Sequence, residues 1–193
     1  MKNVKNKITI GITGIVGSGK STVTSIFKDL GYNTFSCDQY NHILLQESNN
    51  INIIKDKLNC PLINNKLNKE VLAEIVFNNP NKLKILNDIL QPQILKGMLN
   101  FIDNNHISII EIPLLFELNY QKYFDFIIVV VSDYDNINIR LKNRGWQKQR
   151  IQNTINNQLD QQTKIALSTD IIDNNNDLSQ LINNVKGWIN KNL

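Results

Sequence analysis

Apolar positions divide the chain into short strands and amphipathic helices that largely alternate. Residues 7–13, KITIGIT, predict a strand that runs into a glycine-rich turn. Residues 20–30, KSTVTSIFKDL, then carry Val23, Ile26, Phe27 and Leu30 at helical spacing, and Gly31 stops that helix. A second strand over 33–37, NTFSC, ends at Asp38. From about 40 to 105 the pattern becomes helical, most clearly over 68–77 and 82–104, with a break expected around Pro92. Strand character returns over 107–112 and 125–131. The second of these, DFIIVVV, is the most apolar run and predicts a central strand buried on both faces. A helix over 133–143, a polar helical stretch to about 160, a short strand over 170–173 and a helix over 177–191 follow. On the last helix Leu178, Leu181, Ile182, Val185, Trp188 and Ile189 form one apolar stripe.

Strand, loop, helix and strand in that order make the first unit of a parallel sheet. The stretch over 40–105 is too long for a plain crossover and predicts a helical subdomain inserted between strands. The expectation is a three-layer α/β fold in one unit, which suits the length of 193 residues.

Composition adds little until the arginines are considered. Asparagine (32) and isoleucine (30) dominate, which reads as a coding bias. Eighteen lysines are scattered, whereas the three arginines, Arg140, Arg144 and Arg150, fall within eleven residues of one another. That clustering suggests a need for the planar fork that grips phosphate oxygens, against chance placement on a solvated helix. A net charge of +4 with interspersed acids suits a polyphosphate substrate and is weak evidence for a nucleic-acid surface, so no nucleic-acid partner is expected. Cys37 and Cys60 are too few and too far apart for a disulfide framework or a zinc cluster, so a reducing compartment is expected. The start MKNVKNK and the short strand after it do not make a signal peptide, and no apolar run reaches membrane-spanning length. A soluble, cytoplasmic protein without membrane contact is expected.

The densest chemistry lies in GITGIVGSGKST, residues 11–22. Gly14, Ile15, Val16, Gly17, Ser18, Gly19, Lys20 and Ser21 fit G-x-x-x-x-G-K-[ST] at every fixed position, between a predicted strand and a predicted helix. In such a loop the backbone amides and the helix start gather phosphate oxygens, lysine bridges the β- and γ-phosphoryl groups, and the hydroxyl at Ser21 holds Mg²⁺. Thr22 extends the loop into the helix. ATP or GTP with magnesium follows, and the fold class becomes a P-loop NTPase fold. A GTPase is disfavoured, because no D-x-x-G follows the loop and the nearest guanine-type signature, Asn65-Lys66-Leu67-Asn68, ends in an amide.

Three acids stand at strand ends. Asp38 follows the second strand at the edge where open α/β sheets bind ligands, so it is a candidate to orient or deprotonate an attacking hydroxyl. It is also a favoured residue for an N-cap of a helix starting at 39 or 40, and the two roles are compatible. Glu111, inside an apolar strand, faces either the metal's water shell, the acceptor or a buried lysine. Glu117 is expected to touch the acceptor or a lid.

These motifs together resemble the dephospho-CoA kinase family over almost the whole length. The resemblance rests on the phosphate loop, on Ser36-Cys37-Asp38, on Pro113-Leu114-Leu115-Phe116-Glu117, on Arg140-Leu141-Lys142-Asn143-Arg144, on Gln158 and on Asp170-Ile171-Ile172-Asp173-Asn174. It implies a five-stranded parallel sheet, an inserted helical acceptor-binding subdomain over 40–105, and a helical lid around 144–158. It further implies transfer of the ATP γ-phosphoryl group to the 3′-hydroxyl of dephospho-CoA. Asp38, Lys20 and Arg140 would be catalytic; Arg144, Asn174 and Asn175 would bind nucleotide beside the loop; Gln91, Leu115 and Glu117 would join Asp38 and Arg140 in binding the acceptor. Gln158 would close the lid. Gln91 replaces the histidine usual before Pro92, Asn176 a glycine, and Thr154 an arginine that Arg150 could supply one turn earlier. Trp146 is expected to anchor the closed lid, with contact to a ligand as the other reading. A monomer or weak homo-oligomer is expected. The competing functions are a kinase for another small acceptor, such as a nucleoside monophosphate, and a nucleotide-gated regulatory protein without transfer chemistry.

Overall fold

The computed structural model describes residues 7–77 and 79–193, so the basic residues 1–6 lie outside the described residues. The chain divides into two compact units, one formed by residues up to Ser36 together with Ile102–Leu193, the other by Cys37–Phe101.

The first unit is built on five parallel strands: β1 (Ile8–Thr13), β2 (Asn33–Ser36), β5 (Ile107–Glu111), β6 (Phe126–Val131) and β7 (Asp170–Asp173). Their spatial order is β2-β5-β1-β6-β7. The middle strand is therefore β1, and β6, the most apolar strand, lies in the sheet interior between β1 and β7 with its four central residues buried, as expected. Hydrophobicity reports burial of both faces, and any interior strand of a covered parallel sheet satisfies it. Gly11 dilutes the apolar character of β1 because Leu115 occupies its face: a Cβ at Gly11 would stand 2.7 Å from Leu115 Cδ1.

One face of the sheet packs against α1 (Lys20–Asp29) and α9 (Leu178–Asn192). Ile10, Ile12, Ile109, Ile128, Val130 and Ile172 meet Val23, Phe27, Val185 and Trp188 there. The predicted stripe on α9 holds except at Leu178, which is exposed in the first turn. The polar stretch after α6 (Tyr134–Asn143) resolves into α7 (Lys148–Asn156) and α8 (Gln161–Leu167). Asn176 takes no left-handed conformation, so its replacement of glycine is not a matter of positive φ.

The second unit contains α2 (Cys37–Leu44), α3 (Ser48–Leu58), a hairpin of β3 (Leu62–Ile63) and β4 (Lys66–Leu67), α4 (Lys69–Phe77) and most of α5 (Pro80–Asp103). Contrary to the expected break, α5 runs through Pro92. Proline removes one amide from the ladder, and Gln93 Nε2 donates to the Ile89 carbonyl at 2.8 Å just upstream. Gln93 also pairs reciprocally with buried Asn50, which holds α3 and α5 together.

Candidate active site

The phosphate loop leaves β1 and ends on Gly19, the N-cap of α1, at φ +104°. Neither a side-chain cap nor an acidic residue in the first turn competes for the helix's leading amides. These donors and the positive end of the helix dipole make an anion site. The loop's glycines are needed for geometry. At Gly19 a Cβ would overlap Asn174 Nδ2, and at Gly17 (φ +81°) it would stand 3.0 Å from both Ile137 and Leu141 side chains. The loop is thus wrapped by α6 and by the turn after β7.

Lys20 is 8% exposed, and its Nζ donates to the carbonyls of Gly14 at 3.1 Å and Ile15 at 3.0 Å. The ammonium lies inside the curve of the loop, where a phosphate's charge would be felt. Ser21 and Thr22 are exposed on the first turn of α1.

Arg140 reaches the loop from α6. Its Nη1 donates to Ser132 Oγ at 3.0 Å and to the carbonyls of Ser18 (3.3 Å) and Gly17 (3.4 Å), while Nη2 donates to the Asn174 carbonyl at 2.7 Å. Burial, then the nearby Arg144 charge, pushes its pKa below the ordinary guanidinium value. In this structure the fork braces the loop. The other two arginines diverge: Arg144 is the exposed C-cap of α6, and Arg150 stacks its guanidinium 4.0 Å above the Trp146 ring. Arg140→Lys should lower the thermal midpoint by about 2–10 °C, because one ammonium cannot span these four acceptors and about 1–3 kcal/mol of hydrogen bonding goes with it. An unchanged midpoint would show the brace to be inert.

Asn174 and Asn175 are also tied to this corner. Asn174 Nδ2 donates to the Ser18 carbonyl at 2.7 Å. Asn175 Oδ1 accepts from the Asp133 amide at 2.6 Å and from Ser132 Oγ at 3.2 Å, fixing the start of α6. Ser132, not singled out from the sequence, links Arg140 to both asparagines; its place directly after β6, at the ligand-binding edge of a parallel sheet, was the available signal.

Residues 144–158 pack beside the loop. Gly145 (φ +79°) follows the C-cap of α6, and Trp146 joins Ile15, Ile137, Leu141 and Ile151 in a separate apolar cluster. Trp146 is thus a packing anchor in this structure. Gln158 Oε1 accepts from the Val16 amide at 3.0 Å.

Leu115 is fully buried, so its side chain serves packing beneath β1. Glu117 accepts from the Leu159 amide at 2.9 Å and pairs with Lys164, whose Nζ lies 2.8 Å and 3.0 Å from its two carboxylate oxygens. Lys164 carried no sequence signal. Glu111 is buried, in register with Ser36 of β2.

In the second unit, Asp38 is exposed in the first turn of α2, which starts at Cys37. The carboxylate is therefore inside the helix and is not its N-cap. Gln91 is half-buried on α5, and its Oε1 accepts no hydrogen bond among the described residues. A cavity of about 230 Å³ in this unit is walled by Leu45, Ile51, Leu67 and Leu72 together with Lys66 and Lys69.

Comparison with known proteins adds independent support. A family model described as dephospho-CoA kinase matches residues 8–180. A dephospho-CoA kinase from Gamma-proteobacterium EBAC31A08 is 36% identical over 180 residues, covering 89% of this chain and 90% of that one. One from Fusobacterium nucleatum is 28% identical over 182 residues, covering 92% and 94%. TT1252 from Thermus thermophilus has the same fold, with a TM-score of 0.86 at 24% identity over 97% of this chain and 99% of that one. Shikimate kinase from Acinetobacter baumannii shares the fold more distantly, at a TM-score of 0.58 and 13% identity over 99% and 97%. Because the family match spans most of the chain and a relative above 30% identity spans nearly all of it, the chain belongs to the dephospho-CoA kinase family.

Proposed function

We propose that this ATP-dependent kinase transfers the γ-phosphoryl group of ATP to the 3′-hydroxyl of the dephospho-CoA ribose, releasing ADP and coenzyme A. The observation that carries the reading is the loop itself: uncapped α1 amides with the Lys20 ammonium inside their curve, at the same edge of the parallel sheet as the end of β2, two residues before Asp38 in sequence.

Phosphoryl transfer asks little covalent chemistry of the protein, so placement and electrostatics supply most of the rate. The loop amides and Lys20 hold and neutralise the β- and γ-phosphates, and Asp38 orients or deprotonates the attacking hydroxyl. Among the described residues no group of three or more His, Cys, Asp or Glu could hold a metal ion. One hydroxyl at Ser21 nevertheless fits Mg²⁺, which keeps several waters and takes its remaining ligands from phosphate oxygens. When bound, that ion offsets the charge developing on the transferring group. Arg144 supplies charge from the lid side, Arg140 keeps the loop in shape, and Asn174 and Asn175 line the nucleotide end.

The acceptor belongs to the second unit, where Gln91 offers a hydrogen-bonding amide and the part-apolar, lysine-flanked cavity suits an amide-bearing aliphatic arm. Leu115 and Glu117 support the site without touching the acceptor. Residues 144–158 act as the lid, which excludes water as a competing acceptor. The reactants are soluble phosphates, which suits a cytoplasmic monomer or weak oligomer with no nucleic-acid partner.

ADP release is the test. Dephospho-CoA should stimulate it strongly, whereas nucleoside monophosphates or no acceptor should leave it near background. Equal stimulation by a nucleoside monophosphate would overturn the acceptor assignment.

A further inference from the structure

A chain of partly buried polar contacts runs from the root of the phosphate loop to the end of the lid segment and back to the loop. Thr13, the last residue of β1, donates its hydroxyl to the Pro113 carbonyl at 3.2 Å. The same carbonyl accepts from Lys164 Nζ at 3.1 Å. Lys164 then reaches both oxygens of Glu117, one of which also accepts from the Leu159 amide. The neighbouring Gln158 carboxamide closes the ring on the Val16 amide. Thr13 and Val16 flank the first turn of the loop, so its two sides are tied to one ion pair.

The ion pair is costly unless it has a purpose. Lys164 is fully buried and the Glu117 side chain only 20% exposed. Two desolvated charges gain little net stability over an apolar pair of similar volume, although losing one partner alone is strongly destabilising. Here every ammonium hydrogen has an acceptor: a carbonyl and two carboxylate oxygens. α8 begins two residues after Leu159, with Asp160 capping it through the Thr163 amide at 2.9 Å. The position of Gln158 is therefore fixed on its C-terminal side, by the Glu117 contact at Leu159 and by the capped helix.

We propose that Glu117 and Lys164 are positioning residues that act through Leu159 and Gln158 to set the phosphate loop for nucleotide binding. Glu117 thereby affects ATP and not the acceptor. This inference rests on the loop as the nucleotide site, but not on the identity of the acceptor. A purely structural pair would influence melting and leave ATP affinity alone.

The experiment is a double-mutant cycle read by ATP titration without acceptor. Glu117→Ala/Lys164→Met removes the pair together, so no uncompensated charge stays buried, and Gln158→Ala removes the terminal contact. Thermal melts confirm that each variant is folded. Each change should weaken ATP binding about tenfold, the equivalent of one lost hydrogen bond. Combined, they should weaken it by little more than either alone, because both break one path. A multiplicative loss of about a hundredfold would overturn the proposal. So would unchanged ATP affinity after removal of the pair, with or without a rise in acceptor KM. If Glu117→Ala/Lys164→Met fails to fold, Lys164→Arg with and without Gln158→Ala completes the cycle, and independence of the two changes there is equally contrary. Because binding is measured without acceptor, a wrong acceptor assignment would appear only in the ADP-release assay.

Discussion

Asp38→Asn should lower turnover by about 10²–10⁴ while leaving ATP affinity nearly intact, the range for loss of a general base. The amide keeps the shape of the carboxylate but cannot take the hydroxyl's proton. Asp38 sits in the first turn of α2 and is exposed, so an amide of the same shape should leave the fold intact. Steady-state turnover and ATP titration on the same preparation separate the two effects. Turnover equal to the parent's would remove Asp38 from the chemistry.

The second large effect is expected at Gly19. Alanine there would have to adopt φ near +104° and place its Cβ onto Asn174 Nδ2, which donates to the Ser18 carbonyl. The conformation costs about 1–3 kcal/mol, and displacing Asn174 loses about another 1 kcal/mol of hydrogen bonding. A loss of about 2–4 kcal/mol is a large share of a typical domain's stability and corresponds to a fall of about 4–16 °C in the thermal midpoint. ATP affinity should fall with it, because Gly19 opens α1 and aims the leading amides. Parent-like melting together with parent-like affinity would contradict this reading of the loop.

The two sites differ in how plainly the sequence announced them. β1, the loop and α1 were legible because their signals are local: a short apolar run, a fixed glycine–lysine spacing and a helical stripe. The hairpin at 62–67 escaped notice because two-residue strands show no alternation. Its turn residues Asn64 and Asn65, at φ +50° and +60°, were the available hint. Pro92 misled because the local rule counts the missing amide but not the tertiary contacts that hold α5 together, among them the Asn50–Gln93 pair. The arginines form a cluster in sequence, yet the cluster becomes three separate roles once α6 ends at Asn143 with Arg144 as its C-cap. Lys164 was invisible for a deeper reason. Its partner Glu117 lies 47 residues away, and a buried lysine in a polar stretch looks like any surface lysine.

Where the phosphate lands is the most direct test of the whole account. Phosphorus NMR of dephospho-CoA incubated with ATP, Mg²⁺ and the protein should show one new phosphomonoester coupled to the ribose 3′ proton, with ADP formed in equal amount and neither product accumulating appreciably with the Asp38→Asn protein on the same timescale. Inorganic phosphate without the monoester, or a monoester at any other position, would contradict it.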